Sequence, residues 1–179
     1  MINSYQTSRL TLKKIALLDA AFILELVNTS EWKQFIGDRN VNTPDEAIAY
    51  IGKIMDNPNI NYWVVKIRNS QVPIGIITFI KRDYLDYYDI GFAFLKQYTA
   101  QGYAFEATAV VLNDVMAGST HKCVQAITTS VNKASIQLLK KLGFRFENEM
   151  NIQNEILLVY SMLSPPYLWL THSKEEAKY

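Results

Sequence analysis

The chain has 179 residues, 49% of them hydrophobic and 20% charged, which excludes a disordered chain and favours one compact domain. Its 18 Lys and Arg residues balance 17 Asp and Glu residues, and the resulting charge of +1 excludes strong electrostatic attraction to nucleic acid or an anionic membrane. A lone cysteine without a Cys/His cluster excludes a disulfide framework and a zinc finger. We therefore predict a soluble, unprocessed cytoplasmic protein without a bound metal.

The N-terminal part of the chain predicts one strand and two helices. Residues 9–13 alternate between polar and apolar side chains like a half-buried strand, and Asp19 is placed to cap the helix that follows. A capping box at residues 43–46, with Pro44 at the first helical position, predicts a second helix that stops at Asn57-Pro58. The apolar positions of the first helix are Phe22, Ile23, Leu26 and Val27. Those of the second helix are Ala47, Ile48, Ile51, Ile54 and Met55.

The rest of the chain predicts a mixed sheet. Strands over residues 62–67, 74–80 and 87–95 form an antiparallel meander, and a helix from Ala104, with Gly118 as its C-cap, leads to a strand over 124–128. Because a helix joins residues 87–95 to 124–128, these two strands must run parallel with a right-handed crossover. A helix over 133–142 and strands over 144–150 and 156–163 complete the pattern. We predict an α/β fold of the α+β type, with a mostly antiparallel sheet flanked by helices, a domain over residues 1–164 and a tail over 165–179.

The loop after the third meander strand predicts an anion site. Residues 99–104 lie between a strand end and a helix start, where backbone N–H groups lack intrahelical acceptors and the helix dipole is positive. Gly102 allows the backbone to approach a ligand closely, and the small Ala104 leaves the first helical turn open. The alternative interpretation is that Gly102 only serves the turn.

Four motifs follow one another along the chain: residues 7–12 followed by Asp19-Ala20, residues 89–92, the loop around Gly102, and Asn132-x-x-Ser135 before a helix that ends in Leu142-Gly143-Phe144. In this order they resemble the GCN5-related N-acetyltransferases (GNAT), particularly the branch that acetylates the N-terminal alanine of ribosomal proteins. The likeness runs from about Thr7 to Leu163.

The resemblance implies the acyl-CoA N-acyltransferase fold, in which the parallel strands splay apart and acetyl-coenzyme A enters the gap. It implies that Phe94 offers backbone groups to the pantetheine arm, and that Asn132 contacts this arm or the phosphate end of coenzyme A. As a residue type, Asn132 is equally suited to cap the helix that begins at Lys133. The residues implied to hold the pyrophosphate are Ala100, Gln101, Gly102, Tyr103, Ala104 and Phe105.

The chain departs from the family pattern at three positions. Thr99 stands where the loop usually opens with Gln or Arg, and Ala100 stands where a second Gly or a basic residue is frequent. We therefore expect the backbone amides to bind phosphate with less help from side chains. Many members place a tyrosine seven residues after the Asn as proton donor to the thiolate, but Leu139 occupies that position and cannot act as an acid.

Acetyl transfer requires an amine that has lost its proton. An α-amine with a pKa of about 7.7–8.0 loses it more readily than an alkylammonium, whose pKa is near ~10.4. We predict that Asp89 accepts this proton, because it precedes residues 90–92 on the strand beside the cofactor; a solvent-facing strand end is the alternative. The resemblance implies Ser135 as proton donor to the thiolate, and a helix-stabilising hydroxyl is its alternative. Other candidate bases are Asp83, Asp86, Glu147 and Glu149.

The remaining polar candidates have simpler predicted roles. Cys123 is expected to pack in the core, Glu106 to complement the helix dipole, and His121 and His172 to lie on the surface. The tail over residues 165–170 is apolar enough to dock on its own domain or on a second copy. An aromatic set is predicted to line the acceptor pocket or to belong to the core: Trp32, Phe35, Tyr84, Tyr87, Tyr88 and Tyr98.

These patterns predict an acetyl-CoA-dependent N-acetyltransferase that acts by direct attack in a ternary complex. Its expected partners are acetyl-CoA as co-substrate and an amine acceptor, here a protein or peptide α-amine, with no metal, nucleic acid or membrane. Two alternatives remain open at this point: a polyamine or aminoglycoside N-acetyltransferase, and a non-catalytic acyl-CoA-binding module. We expect a monomer or a homodimer.

Overall fold

A mixed sheet of eight strands forms the centre of the computed structural model, which describes residues 3–117, 121–152 and 154–163. The strands are β1 (Ser4–Gln6), β2 (Leu10–Lys14), β3 (Ile60–Ile67), β4 (Pro73–Lys81), β5 (Tyr88–Phe94), β6 (Cys123–Thr129), β7 (Arg145–Ile152) and β8 (Glu155–Leu163). The helices are α1 (Ala20–Val27), α2 (Ser30–Phe35), α3 (Pro44–Met55), α4 (Tyr103–Ala117) and α5 (Lys133–Leu142). The strands lie in the order β1-β2-β3-β4-β5-β6-β8-β7, and β5 and β6 are parallel, which confirms the predicted fold class.

Helices cover both faces of this sheet. On one face, Val111 of α4 and Leu139 of α5 pack in a cluster with Phe79. On the other, Ile51 of α3 packs in a second cluster with Ile76. We call these the α4–α5 face and the α1–α3 face. Alternate residues of the buried strands therefore contribute their side chains to two separate cores.

Local capping signals place the boundaries of two helices at the predicted residues. Thr43 Oγ1 accepts a hydrogen bond from the Glu46 N–H at 3.3 Å, and the Glu46 carboxylate accepts one from the Thr43 N–H at 3.0 Å, so the capping box of α3 is confirmed. Helix α5 ends at Gly143, whose φ of 98° needs a residue without a Cβ.

Asp19 lies at the predicted cap position, but its side chain does not cap the helix. Asp19 does occupy the N-cap position of α1, but its side chain forms no capping hydrogen bond. Its carboxylate instead accepts from the Ala16 N–H at 3.1 Å and pairs with Lys66 at 3.1 Å. The reason is a 3-10 turn before the helix, which directs the carboxylate back towards the sheet.

The predicted inner face of α3 is too wide. Ala47, Ile51 and Ile54 are buried, whereas Ile48 and Met55 are 42% and 55% exposed. The helix packs on the sheet through a narrow stripe, and the residues beside that stripe face solvent.

The sequence interpretation missed strand β1, which has three residues and pairs with β2. So short a segment carries no measurable alternation, although its central Tyr5 is buried. The predicted C-cap Gly118, His172 and the tail over 165–179 lie outside the described residues. Within the described ranges, no helix is both long enough and apolar enough to cross a membrane.

Candidate active site

The parallel strands β5 and β6 separate after a short paired segment. Tyr88 pairs with Val124 and Asp89 with Gln125, and the described ladder between these strands has no further pair. Beyond this point β5 stays paired with β4 as far as Phe94, while β6 stays paired with β8. A gap therefore opens in the sheet between β5 and β6.

The backbone of Phe94 faces this gap. The Leu95 N–H donates to the Ile74 carbonyl of β4 at 2.9 Å, and alternation along a strand turns the N–H and C=O of the preceding residue the other way, towards β6. The Phe94 ring lies over Gly75, where an added Cβ would be 2.5 Å from the ring. Phe94 can thus offer main-chain hydrogen bonds to a ligand in the gap while its ring stays fixed on β4.

The loop after β5 ends in a helix N-terminus that carries free N–H groups. The Gly102 carbonyl accepts from the Glu106 N–H at 3.1 Å, so Gly102 caps α4. The first N–H groups of a helix have no intrahelical acceptor and lie at the positive end of the dipole. Residues 99–102 are exposed, and Gly102 has a φ of 81°. The loop is therefore accessible to a ligand at the start of the helix, as an anion site requires.

Ala100 also has a left-handed backbone, with a φ of 58°. This conformation suits glycine and strains other residues, which gives a physical reason for a second glycine at this position in related loops. Ala100 therefore adopts a left-handed conformation at some cost in backbone strain.

The side chains of Gln101 and Phe105 point away from the loop amides. Gln101 Nε2 donates to the Gln97 carbonyl at 2.8 Å. The Phe105 ring lies 4.8 Å from the Lys141 ammonium and lines a groove of about 370 Å³ between α4, α5 and β8. An anion at the loop would therefore meet the backbone of these residues.

The segment that contains Asn132 and Ser135 lies at the same edge of the sheet as the loop. Because β5 and β6 are parallel, the N-termini of α4 and α5 both follow carboxyl ends of neighbouring strands. Asn132 Oδ1 accepts from the Ser135 N–H at 3.1 Å, which confirms the N-cap interpretation and leaves the Asn132 amide NH₂ group for a ligand. Leu139 is 1% exposed and belongs to the core.

Asp89 lies at the point where the gap begins. It is 2% exposed, so the solvent-facing alternative is wrong. Asp89 Oδ2 accepts from Arg82 Nε at 2.6 Å, and Oδ1 is fully buried. Burial raises the pKa of the Asp89 carboxyl above its ordinary value, and both the neighbouring Arg82 and the backbone of Ile127 in β6 oppose this shift.

The Asp89 side chain points to the α1–α3 face. Ala93 packs against the cluster of that face, and residues two or four positions apart in a strand share a face. Tyr88 and Ile90, one position away on either side, belong to the opposite cluster. The Asp89 side chain and helix α5 therefore lie on opposite faces of the sheet, at the gap.

A polar and aromatic cluster on the α1–α3 face is connected to Asp89 through Arg82. Burial and a hydrogen bond with Tyr50 raise the pKa of Tyr62, and the positive charges of Arg39 and Arg82 oppose that rise. The Arg39 guanidinium lies 6.0 Å from the ring centre of Trp32, and that of Arg82 lies 5.9 Å from the ring centre of Tyr84. We call this the acceptor cluster: Trp32, Arg39, Tyr50, Tyr62, Arg82, Tyr84 and Asp89.

The predicted aromatic pocket is thus only partly assembled. Trp32 and Tyr84 belong to the acceptor cluster, and Trp32 Nε1 is a buried donor without a partner among the described residues. Tyr88 instead stacks on Phe79 of the α4–α5 face at 4.7 Å. Arg39, Tyr50, Tyr62 and Arg82 were missed, because they come from separate elements and share no sequence motif.

His121 does not have the surface role predicted for it. Its ring packs edge-on against Phe79 at 5.2 Å and Tyr88 at 5.0 Å, and partial burial lowers its pKa. Cys123 is buried, and burial raises the pKa of its thiol, in agreement with a packing role. Among the other candidate bases, Asp83 and Asp86 are exposed, and Glu147 accepts from the Gln125 amide at 3.1 Å.

Sequence interpretation also missed Arg9 as part of the loop. Arg9 Nε pairs with Glu106 at 2.6 Å, and Arg9 Nη1 donates to the Gln101 carbonyl at 3.0 Å. The only signal was its position in the family-like opening of residues 7–12. Glu106, predicted to complement the helix dipole, is therefore also held by Arg9 from the turn between β1 and β2.

Comparison of the sequence with known families gives a match over most of the chain. The profile of the acetyltransferase (GNAT) domain matches residues 9–145. The chain is also 28% identical over 141 residues to YnaD of Bacillus subtilis (strain 168), an uncharacterized N-acetyltransferase, and the match covers 79% of this chain and 82% of YnaD.

Solved structures of acetyltransferases share the fold. The ribosomal-protein-S5-alanine acetyltransferase from Vibrio fischeri has a TM-score of 0.75 at 19% identity, covering 92% of this chain and 98% of that one. The spermidine N-acetyltransferase from Vibrio cholerae, in complex with CoA and spermine, has a TM-score of 0.76 at 18% identity, covering 90% and 99%. At these identities the likeness establishes the fold.

Proposed function

The chain belongs to the GNAT family of acetyltransferases and is an N-acetyltransferase, and from this premise we propose that it acetylates the N-terminal α-amine of a protein or peptide. Acetyl-CoA is the donor of this family, and direct attack by the amine occurs while both substrates are bound. The observation that carries the proposal is the gap between β5 and β6, with two helix N-termini at one end and Asp89 at the other.

The donor side of the gap fits coenzyme A. The outward amides at Gly102, Tyr103, Ala104 and Phe105 suit a pyrophosphate, and the backbone of Phe94 suits the amides of a pantetheine arm. These groups need no positive side chain of their own, which agrees with the net charge of +1.

The acceptor cluster supports an α-amine over a polyamine. Arg39 and Arg82 both place positive charge near Tyr62, and Asp89 is already paired with Arg82. Like charges repel, and a polycation would meet two guanidinium groups and one neutralised carboxylate. A peptide N-terminus brings one ammonium, which is also easier to deprotonate than a polyamine ammonium.

The two predicted catalytic residues would act from opposite sides of the gap. The neutral amine attacks the thioester carbonyl carbon, a C–N bond forms, and the C–S bond breaks with release of the thiolate. We assign the proton of the amine to Asp89, directly or through one water, because its buried carboxylate lies at the start of the gap. Ser135, in the first turn of α5, is assigned as the donor of a proton to the thiolate, and its hydroxyl takes a replacement proton from water.

A panel of amines tests the acceptor. The purified chain is incubated with acetyl-CoA and each amine, and released thiol is measured. The panel contains a peptide with a free N-terminal alanine, the same peptide blocked at its N-terminus but carrying lysine, spermidine and an aminoglycoside. We expect thiol release with the free peptide and little with the other amines. Turnover of spermidine or the aminoglycoside alone would replace the proposed acceptor, and a thermal shift with acetyl-CoA without turnover of any amine would contradict all of these acceptors.

A further inference from the structure

The carboxylate of Glu106 is held by three consecutive residues of the turn between β1 and β2. It accepts hydrogen bonds from Thr7 Oγ1 at 2.5 Å, Ser8 Oγ at 3.2 Å, the Arg9 N–H at 3.1 Å and Arg9 Nε at 2.6 Å. Glu106 lies in the first turn of α4, so these bonds tie the start of that helix to the N-terminal hairpin. The contact joins residues about 100 positions apart in the sequence. Hydrogen bonds to a charged group are stronger than those between neutral groups, so this contact helps to fix the helix start relative to the hairpin.

The guanidinium of Arg9 also extends along the loop itself. Its Nη1 donates to the Gln101 carbonyl at 3.0 Å, and its Cζ lies 4.5 Å from the centre of the Tyr103 ring. A Cβ added to Gly102 would lie 3.3 Å from Arg9 Nη2. The guanidinium thus contacts three consecutive residues whose N–H groups form the proposed phosphate site.

Glu106 creates an electrostatic difficulty for that site. A carboxylate in the first turn stabilises a helix, but the same position repels a phosphate bound to the helix N-terminus. Burial alone would raise the pKa of Glu106, but the hydrogen bonds from Thr7 and Arg9 outweigh it and the pKa lies below its ordinary value. Glu106 is therefore ionised near neutral pH and needs a neutralising partner when phosphate binds.

The loop supplies no such partner. Residues 99–102 are Thr, Ala, Gln and Gly, without a basic side chain. Arg9, which is remote in sequence, provides a positive charge at the loop. This charge compensates the negative charge of the Glu106 carboxylate.

We propose that Arg9 is a positioning residue for the phosphates of coenzyme A. It holds the Gln101 carbonyl so that the amides of residues 102–105 face outward, and it neutralises Glu106 beside the bound pyrophosphate. This inference rests on the proposed donor site. Arg9 acts on coenzyme A indirectly, by positioning the loop that binds the phosphates.

Binding of coenzyme A to four forms of the full chain tests this role by titration calorimetry. The forms are the natural chain, Arg9→Met, Glu106→Gln and the double variant. For Arg9→Met we expect an increase in Kd of about tenfold, since one charge-assisted contact is lost and Glu106 is left uncompensated. The double variant should recover part of this loss, because the repulsive carboxylate has been removed. Arg9→Lys keeps the charge but not the forked contact, and should lie between the natural chain and Arg9→Met.

A donor without phosphates separates positioning from general damage to the fold. With S-acetylpantetheine, no pyrophosphate is present. We expect the ratio of kcat/KM for acetyl-CoA over S-acetylpantetheine to fall about tenfold in Arg9→Met. An equal loss with both donors would overturn the proposal, and so would a Kd within twofold of the natural value or a double variant weaker than Arg9→Met. If the natural chain itself binds no coenzyme A, the proposed donor site fails, which is a separate result.

Discussion

The donor side and the acceptor side of the gap are built in different ways. The donor side consists of residues 94–105 and 132–135, two short stretches of chain that act mainly through backbone N–H groups at helix starts. The acceptor cluster draws its side chains from α2, α3, β3, β5 and the loops after α2 and β4. One side depends on the course of the main chain, and the other depends on individual side chains brought together by the sheet.

This difference determines what substitutions can do. On the donor side, a change that preserves φ and ψ leaves the amides in place, and a change of backbone conformation removes several contacts together. On the acceptor side, each side chain supplies one charge or one ring. Single substitutions there should alter rate or acceptor choice while coenzyme A still binds.

The largest effect is expected from a substitution of Gly102 on the donor side. Replacement by Trp forces a side chain onto a residue with a φ of 81° and fills the approach to the loop. We expect coenzyme A affinity to fall at least ~100-fold, because the loop can relieve a strain of about 1–3 kcal/mol only by moving its amides, and the indole also occupies the place of the ligand. Calorimetry measures the loss. Met55→Trp, on an exposed position at the end of α3, is the matched control, and unchanged affinity in Gly102→Trp would show that the glycine serves only the turn.

The next effect concerns the proposed base on the acceptor side. Asp89→Asn keeps the shape but cannot accept a proton, and kcat should fall about 100-fold while the Kd for coenzyme A stays within twofold. Only the ionised carboxylate accepts a proton, so in the natural chain kcat should rise with pH through the raised pKa of Asp89. This limb should disappear in the variant. Asp83→Asn, on an exposed carboxylate nearby, should leave kcat unchanged; a similar loss there, or none in Asp89→Asn, would remove Asp89 as the base.

The proposed proton donor should show a smaller effect. Ser135→Ala removes the hydroxyl but keeps the backbone N–H that donates to Asn132, so α5 remains capped. We expect kcat to fall about tenfold, since water can replace part of this acid catalysis. Steady-state rates at saturating acetyl-CoA measure this effect, with Ser130→Ala as the control. An unchanged rate would exclude Ser135 from the mechanism.

Acceptor choice should respond to the charge of Arg39. Arg39→Glu reverses one charge of the acceptor cluster, which should raise kcat/KM for spermidine and lower it for an acidic peptide, each by about fivefold. Coenzyme A affinity should not change, because the donor side is separate. Lys53→Glu makes the same charge change near the end of α3 and serves as the control. Equal effects of both variants would contradict a specific role for Arg39.

The smallest effect is expected from relief of backbone strain at Ala100 in the loop. Ala100 and Gln71 share a φ of 58°, and glycine relieves the strain at either position while adding entropy to the unfolded chain. We expect Ala100→Gly to raise the free energy of unfolding by at most about 1 kcal/mol. Chemical denaturation measures this change, and Gln71→Gly is the matched comparison. Destabilisation by Ala100→Gly would show that the backbone at this position is not strained.

The predictions that held rest on signals within one stretch of chain. The capping box at Thr43, the glycine end of α5 at Gly143 and the helix start after Gly102 each depend on neighbours within about one turn, which the sequence displays directly. The failures concern orientation and distant partners. Met55 faces solvent because the sheet accepts only a narrow stripe of α3, and Asp19 turns towards Lys66, which lies 47 positions away.

The motifs of the sequence indicated the family, and its capping signals and hydrophobic alternation predicted the mixed sheet with its parallel pair, because these signals act over a few residues. Only the folded chain shows that Asp89 is buried beside Arg82, that Arg39 lies near the Trp32 ring, and that Arg9 pairs with Glu106 and donates to the Gln101 carbonyl. These contacts join residues that are neighbours only after the sheet has formed. Their energies depend on burial and distance, neither of which residue order specifies.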